Sequence, residues 1–353
     1  MKKSPKKASA SPLSYTTAGV NIDVADETKK SMAKNLETTD ARVLNTIGAF
    51  ASLFDASFPD YKHPVLVTKT EEPGTKQLLA FEHGRVESIC QDMVHHLIND
   101  VAVMGAIPLT VQDCIVCGKL EKEIVTRIVA GIADACKAQG CSLTGGETSE
   151  QPGMLAPGRY VLTSSVIGIV EKEQIIDGSK IQKGDVVLAL ESSGVHTNGL
   201  SLVRKLMEQR PEILKETIEG RSFLDVTLTP HRCYFQALKG LFDLKELHGL
   251  AHITGGGIQG NLNRILPKGT AARIDLHQIR ILPIFRMIKK WGDVPDADML
   301  KTFNMGIGMT AVVAANSVEV IREHLAKHGC ESYPIGEIVS GTGDVVFEGS
   351  LQW

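Results

Sequence analysis

Four glycine clusters follow apolar runs along the chain, and carboxylates lie beside or between them. Glycine lets the backbone come close to a ligand and lets several N–H groups converge on an anion. Carboxylate oxygens are the ligands that a hard cation such as Mg²⁺ prefers. Together they indicate a site for a magnesium nucleotide. The clusters are Gly145–Gly146, Gly194 to Gly199, Gly255–Gly257 and Gly306 to Gly308, and the carboxylates are Glu71, Asp100, Asp113, Glu147 and Glu150.

One of these clusters lies in the stretch Val186–Lys205, which reads as strand, tight loop and helix. The free N–H groups and the positive end of the dipole at the start of a helix suit an anion, most often phosphate. His196 lies inside this loop. Two interpretations stay open for it: a side chain that contacts a bound phosphate, and a solvent-facing histidine beside a helix cap.

The standard nucleotide fingerprints are missing from the sequence. Gly74–Lys76 echoes only the end of the P-loop pattern G-x-x-x-x-G-K-[ST]. Gly306–Ala311 matches G-x-G-x-x-A, but it precedes a predicted strand and does not open a helix. A P-loop ATPase and a Rossmann dehydrogenase are therefore not favoured.

Two further groups of residues could bind metal. His95/Asn99 and His96/Asp100 form i,i+4 pairs on a predicted helix, where a metal site competes with solvated or capping pairs. Cys114 and Cys117 form a C-x-x-C pattern in a predicted strand, where residues three apart point to opposite faces. Buried structural thiols are favoured over metal or redox chemistry for these cysteines.

Strands and helices alternate along the chain, with hairpin-like stretches among them, which predicts a mixed α/β (α+β) fold. Residues 26–53 are predicted to be mostly helical, with Ile47 and Phe50 on the buried side. A polar stretch rich in turn residues predicts a boundary near 171–184. The predicted organisation is a disordered basic tail over 1–14, an N-terminal unit over 15–170, a linker over 171–184, and a C-terminal unit over 185–353.

Composition limits the possible functions. The 353 residues are 43% hydrophobic and 22% charged, with a formal net charge of −3. That balance argues against a general nucleic-acid-binding surface. The basic start lacks the apolar core of a signal peptide, and no apolar run approaches membrane-spanning length. We therefore expect a cytoplasmic protein without a nucleic-acid or membrane partner.

In this order along the chain, the motifs resemble those of the phosphoribosylformylglycinamidine cyclo-ligase family, also called aminoimidazole ribonucleotide (AIR) synthetases, of purine biosynthesis. The similarity covers nearly the whole chain, from Tyr15 to beyond Met309. The matching stretches are Tyr15–Asp23 (Y-x-x-A-G-V-x-I-D), Asp100 to Pro108 (D-x4-G-A-x-P), Gly145–Thr148 with Pro152–Met154, Ser193–Arg204, His252–Gly257 and Thr302–Met309.

The resemblance implies a fold of two α/β domains and a homodimer in which the N-terminal sheets of two protomers pair into a barrel. It implies ATP-dependent closure of formylglycinamidine ribonucleotide to aminoimidazole ribonucleotide, with ADP and phosphate released. The formyl oxygen is phosphorylated, an amidine nitrogen attacks that carbon, and phosphate leaves. His196 is then expected to contact the transferring phosphoryl group or the formyl oxygen.

The site residues follow from these motifs and from the clustered carboxylates. Glu71, Asp100 and Asp113 are expected to hold Mg²⁺, with Lys76 on the phosphates and both Lys76 and His196 as catalytic residues. ATP contacts are expected from Gly74, Thr75, Lys76, Asn99, Asp100, Gly145, Gly146, Glu147, Asn198 and Asn304, and substrate contacts from Gly194, His252, Thr254, Gly255, Gly256 and Gly257.

One motif departs from the family pattern T-D-G-V-G-T-K, because Glu71–Glu72–Pro73 replaces D-G-V. Glu71 keeps a carboxylate, Glu72 adds a negative charge, and Pro73 lacks an N–H donor. We expect Glu71 to retain the metal role and Glu72 to face outward or to pair with a cation. Two alternatives remain: a related ATP-using enzyme resembling thiamine-monophosphate kinase or selenophosphate synthetase, and a catalytically silent nucleotide-binding paralogue.

Overall fold

The computed structural model describes residues 18–33, 36, 38, 40–45 and 50–353. The predicted tail over 1–14, the start of the first motif at Tyr15 and the predicted buried residue Ile47 lie outside these residues.

Helices and strands alternate through both halves of the chain. The strands are β1 (Pro64–Glu71), β2 (Ile107–Cys117), β3 (Ser142–Glu150), β4 (Tyr160–Glu171), β5 (Val186–Glu191), β6 (Thr217–Ile218), β7 (Arg221–Ser222), β8 (Leu247–His252), β9 (Thr270–Asp275), β10 (Ile307–Val313), β11 (Ser332–Ser340) and β12 (Val345–Glu348). The helices are α1 (Ile22–Ala33), α2 (Lys76–Glu82), α3 (Val86–Ala102), α4 (Lys122–Ala138), α5 (Leu200–Gln209), α6 (Phe223–Thr227), α7 (Phe235–Leu238), α8 (Gly257–Leu262), α9 (Pro283–Gly292), α10 (Asp296–Thr302) and α11 (Val318–Lys327).

The first sheet has the strand order β1-β4-β2-β3, antiparallel except for the parallel pair β2–β3. Helices α3 and α4 pack together, and α3 also contacts β1, β2 and β4. Their apolar side chains form a core with inward residues such as Val111 and Val166. The opposite face of this sheet carries the exposed side chains of Leu66 and Ile167.

The second sheet has the order β12-β9-β11-β5-β10-β8, antiparallel except for the parallel pair β12–β9. Every residue of β10 and β8 is buried, although β8 is the last strand of this sheet. With helices interleaved between these strands, the predicted mixed α/β fold is confirmed.

Several parts of the chain differ from the sequence-based expectation, among them helices α9 and α10, which were not predicted. Among the described residues of 26–53, only 26–33 are α-helical, and Phe50 is fully exposed. Strands β8 and β11 were not predicted, because their sequences LHGLAH and SYPIGEIVS contain neither a continuous apolar run nor a strict alternation of apolar and polar residues. Pro334 within β11 is tolerated because the pairing with β5 shifts between Pro334 and Gly336.

The stretch Val186–Lys205 folds as predicted, with strand β5, a tight turn and helix α5. Gly199 precedes the helix with a φ of 79°, a left-handed conformation that glycine adopts without strain. None of the described helices combines the length and the apolar character needed to span a bilayer.

Candidate active site

Helix α3 brings the candidate site together. Asp92, His96 and Asp100 are spaced four residues apart, so they lie on one face of the helix. Each of them contacts a residue of the second half of the chain. The site therefore lies where α3 meets the loops of the second sheet.

The last turn of α3 carries a cluster of charges. Lys69 Nζ lies 3.0 Å from Glu71 Oε2 and 3.1 Å from Asp100 Oδ2. Lys69 and Glu71 share a face of β1 because they are two residues apart. The other Asp100 oxygen accepts a 2.7 Å hydrogen bond from His252 Nδ1. Burial alone would raise the pKa of Asp100, but the His252 bond and nearby positive charge hold it well below its usual range.

Four buried histidines lie in contact with one another beside the Asp100 carboxylate. His252 Nε2 lies 2.9 Å from His231 Nε2, and the His231 ring stacks on His196 with centroids 3.9 Å apart. Thr197 Oγ1 lies 3.4 Å from His231 Nδ1 and 3.2 Å from His96 Nδ1. Burial lowers the pKa of His96 to about 4, and it also lowers the pKa values of His196 and His231. These three imidazoles are therefore neutral at pH 7.

His196 is turned into the protein. It is 1% exposed and has a φ of 61°, and its Nε2 accepts a 3.1 Å hydrogen bond from the Ser193 N–H. Gly308 makes room for the ring, because a Cβ at Gly308 would lie 2.6 Å from His196 Cε1. The solvent-facing interpretation of His196 is therefore wrong in this structure. Its catalytic role remains a prediction.

Lys76 is fully buried against Asp92 on this face of α3. Its ammonium donates to Asp92 Oδ1 and to the Thr229 carbonyl, both at 2.8 Å. Burial lowers the pKa of Lys76 and raises the pKa of Asp92 to about 6, while the contact between the two opposes both shifts. A contact between Lys76 and a phosphate, as the sequence predicts, would require this ion pair to open.

Asp113 does not lie beside the other two predicted metal ligands. Glu71 and Asp113 are both aligned with Ser164 of β4, one on each side of that strand. Two strand spacings separate their backbones by about 9–10 Å. Burial raises the pKa of Asp113 to about 7. Asp113 instead lines a cleft of about 860 Å³ together with Gly145, Gly146 and Glu147.

Two comparisons of sequence place the chain among known proteins. Residues 56–170 match the N-terminal domain of AIR synthase related proteins, and residues 182–348 match the C-terminal domain. A phosphoribosylformylglycinamidine cyclo-ligase of Burkholderia pseudomallei (strain 1710b) is 43% identical over 338 residues, covering 95% of both chains. One from Thermoanaerobacter sp. (strain X514) is 42% identical over 95% of this chain and 100% of its own.

The chain belongs to the phosphoribosylformylglycinamidine cyclo-ligase family. Solved structures share its fold at low identity. HypE from E. coli aligns with a TM-score of 0.68 and 17% identity, over 92% of this chain and 94% of its own. The thiamine-monophosphate kinase of Stenotrophomonas maltophilia K279a aligns with a TM-score of 0.66 and 17% identity, over 93% and 96%.

The remaining loops that resemble those of the cyclo-ligase family also meet near α3. A Cβ at Gly74 would lie 3.4 Å from the Thr197 carbonyl, and Thr75 Oγ1 lies 3.2 Å from Ser201 Oγ. A Cβ at Gly255 would lie 3.2 Å from Asn198 Oδ1. The predicted ATP loop, the His196 loop and the Gly255–Gly257 loop therefore converge.

Two predicted ATP ligands of this family member hold loops in place. Asn304 Nδ2 donates to the Gly194 carbonyl at 2.9 Å, and its Oδ1 accepts from the Gly306 N–H at 2.9 Å. Asn99, which is fully buried, donates to the Arg232 carbonyl and accepts from the Tyr234 N–H, each at 2.8 Å. The predicted substrate contact Thr254 donates its hydroxyl to Asn261 Oδ1 of α8 at 3.3 Å.

Four residues of the site were not predicted from the sequence: His231, Thr197, Lys69 and Asp92. His231 lies in an irregular stretch after Pro230, and no pattern marks it. Lys69 could have been found, since the alternation along β1 places it on the same face as Glu71. The partners of the other three lie far away in sequence, so their contacts left no local signal.

Proposed function

We propose that this chain closes the imidazole ring of aminoimidazole ribonucleotide, using ATP and formylglycinamidine ribonucleotide. The observation that carries the proposal is the 43% identity to a curated cyclo-ligase over 95% of both chains. Such a match extends over both domains and every loop of the candidate site. The enzyme is thus proposed to be a ligase of purine biosynthesis that forms a C–N bond.

Two structural neighbours support the use of ATP. Hydrogenase maturation protein HypE in complex with ATP aligns with a TM-score of 0.63 and 18% identity, over 90% of this chain and 88% of its own. PurL of T. maritima complexed with AMPPCP aligns with a TM-score of 0.52 and 18% identity, over 79% and 41%. We infer that the present chain binds ATP at its glycine loops.

The residues present also fit Mg²⁺. Glu71 and Asp100 supply carboxylate oxygens, and the Lys69 ammonium between them shows that the position accommodates positive charge. Bound Mg²⁺ would neutralise the phosphate charge that develops during transfer. The His252 Nδ1–H bond would keep Asp100 oriented, since it uses one oxygen and leaves the other facing Lys69.

In the proposed reaction the formyl oxygen takes the γ-phosphoryl group and ADP leaves. An amidine nitrogen then attacks the formyl carbon, and phosphate departs with the former formyl oxygen while nitrogen loses its proton. Positioning of the two reacting ends can supply roughly 7–11 kcal/mol of the barrier. The converging loops around Gly74, Thr197 and Gly255 are the proposed means of positioning.

We also propose a homodimer in which the helix-free face of the first sheet pairs with a second copy. The exposed Leu66 and Ile167 on this face support the proposal, because they would be covered. The unit boundaries at 15–170, 171–184 and 185–353 and a cytoplasmic location stay predictions.

The test is a turnover assay with formylglycinamidine ribonucleotide, ATP and Mg²⁺. We expect one ADP and one phosphate for each aminoimidazole ribonucleotide formed, and no ATP hydrolysis above background without the substrate. The parent is compared with the His196→Asn variant, because asparagine tolerates a positive φ but lacks the imidazole. Its kcat should be much lower than that of the parent.

Other outcomes would redirect the assignment. Phosphorylation of thiamine monophosphate without ring closure would favour a related ATP-using enzyme. Binding of Mg–ATP with no turnover on either substrate would favour the silent paralogue, for which the Glu71–Pro73 departure is the sequence support.

A further inference from the structure

Lys69 lies on the more buried side of β1, the strand that contacts α3. Burial alternates along this strand, and the less exposed residues Val65 and Val67 pack against the apolar core. Lys69 and Glu71 continue the same series, because residues two apart in a strand point to one face. The geometry of the strand therefore holds the lysine beside the helix, and 37% of its side chain is exposed.

All four carboxylate oxygens of Glu71 and Asp100 have a polar partner in the protein. Glu71 Oε1 accepts a 3.2 Å hydrogen bond from the Glu72 N–H. Asp100 Oδ1 lies 2.7 Å from His252 Nδ1. The other two oxygens, Glu71 Oε2 and Asp100 Oδ2, lie 3.0 and 3.1 Å from Lys69 Nζ. The ammonium therefore already bridges the two oxygens that no other group contacts so closely.

A free divalent ion would compete with this ammonium for the same two oxygens. Mg²⁺ about 2.1 Å from them would lie at most about 5 Å from Lys69 Nζ. Like charges at that distance repel, and a partly buried group is screened less than an exposed one. The two carboxylates and one ammonium together carry a net charge of −1. That charge attracts Mg²⁺ weakly, and this ion gives up its water reluctantly.

We propose that Lys69 is a tethered cation that makes the binding of Mg²⁺ depend on the nucleotide. Before ATP binds, the ammonium of Lys69 excludes free Mg²⁺ from Glu71 and Asp100. ATP supplies phosphate oxygens, which are ligands for the metal and also partners for the displaced ammonium. The inference rests on the cation role proposed above for Glu71 and Asp100, and it adds the condition under which the cation enters.

Removal of the ammonium has two effects of opposite sign. Lys69→Met leaves the Glu71 and Asp100 oxygens free and raises their joint charge to −2, so free Mg²⁺ should bind more tightly. The same variant should bind metal-free ATP more weakly, because the phosphates lose a cation and face two uncompensated carboxylates. A purely structural role for Lys69 would not produce a gain in one affinity and a loss in the other.

The test is isothermal titration calorimetry of the whole chain in two experiments. In the first, MgCl₂ is added to nucleotide-free protein, and Lys69→Met should bind Mg²⁺ at least about tenfold more tightly than the parent. In the second, ATP is added in the presence of EDTA, and Lys69→Met should bind it more weakly than the parent. Lys69→Gln, which also lacks the charge but keeps a polar end, should repeat both results and covers a failure of Lys69→Met to fold.

Two control variants separate the position of the charge from its amount. Lys69→Arg keeps a positive charge at this position and should exclude free Mg²⁺ as the parent does. Lys122→Met removes one positive charge elsewhere in the same half of the chain, where Lys122 Nζ lies 3.3 Å from Glu27 Oε2 in an exposed pair. It should bind Mg²⁺ no more tightly than the parent.

The proposal is overturned if neither uncharged variant of Lys69 binds free Mg²⁺ more tightly than the parent. It is also overturned if Lys69→Arg or Lys122→Met gains as much affinity as Lys69→Met does.

The outcomes also separate this inference from the proposed reaction. Ring closure by a protein whose Lys69 variants show no gain in Mg²⁺ affinity would overturn the role of Lys69 alone. The expected pattern of affinities in a protein that does not close the ring would leave the role of Lys69 standing and overturn the reaction.

Discussion

The two ends of the polar face of α3 carry lysine–carboxylate contacts of opposite character. At the first end Lys76 and Asp92 are both completely buried, and Lys76 also bonds the Thr229 carbonyl. At the second end Lys69 contacts Glu71 and Asp100, with side-chain exposures of 37%, 26% and 19%. The first pair is closed to solvent, whereas the second group is partly exposed.

This difference separates a structural pair from a candidate binding site. Asp92 Oδ1 also accepts from the His231 N–H at 2.7 Å, so the buried Lys76–Asp92 pair connects α2 and α3 to the segment 229–231. The partly exposed group at Asp100 is connected to the same segment through His252 and His231. We infer that the buried Lys76–Asp92 pair stabilises the packing of the two domains, whereas the group of Lys69, Glu71 and Asp100 takes part in the reaction.

The strongest test of the comparison is Lys76→Met. Removing one partner of a buried ion pair leaves an uncompensated charge, so the free energy of unfolding should fall by about 3–5 kcal/mol. The matched Lys69→Met change should cost less than about 1 kcal/mol, because that lysine is partly exposed. Denaturant titration measures both. An unchanged stability of Lys76→Met together with lost Mg–ATP affinity would instead support a phosphate contact for Lys76.

Asp113 sharpens the comparison because burial raises its pKa to about 7, above the pKa of about 6 that Asp92 has beside Lys76. A raised pKa means that the folded state retains a proton that the unfolded state has lost. The contribution of Asp113 to stability is therefore greatest below about pH 4 and falls as the pH rises to about 7. Asp113→Asn should remove this loss, gaining about 1–3 kcal/mol more over the parent at pH 8 than at pH 5. Equal gains at both pH values would contradict the burial argument.

In the last turn of α3, Asp100→Asn should weaken the binding of Mg–ATP more than it lowers the free energy of unfolding. Asparagine can still accept the hydrogen bond from His252 Nδ1, but it loses the charge that attracts a cation. We expect Mg–ATP to bind about tenfold more weakly, equivalent to about 1.4 kcal/mol, with a smaller change in unfolding free energy. Calorimetry and thermal melts measure the two quantities. Unchanged affinity would remove Asp100 from the metal site.

The smallest effect is expected from Glu72→Gly. Glu72 is exposed, as predicted, and its backbone N–H bonds the Glu71 carboxylate. Replacing an exposed side chain of this kind usually changes the free energy of unfolding by less than about 0.5 kcal/mol. An effect of the same size on the transition state would change kcat/KM in the ring-closure assay by about twofold, and we expect no more than that. A parent that is inert while Glu72→Gly combined with Pro73→Val turns over would favour the silent paralogue.

Local patterns were enough to predict several parts of the molecule. The apolar run of β5, the turn at Gly199 and the periodic start of α5 lie within twenty residues, so hydrophobic spacing and glycine predict them directly. The mixed α/β fold and the family also follow from such patterns and their order. The helix predicted over 26–53 was wrong beyond Ala33 among the described residues, because scattered apolar side chains do not ensure a helix.

The contacts of the site depend on folding and could not be predicted in this way. Lys76 pairs with Asp92 sixteen residues away but also with Thr229, 153 residues away, and His252 meets Asp100 across 152 residues. Sequence motifs identify side chains that could meet, such as Lys76 and a phosphate. Which partner each one takes depends on how α3 packs against the loops of the second sheet, because burial makes an unpaired charge too costly to leave without a partner.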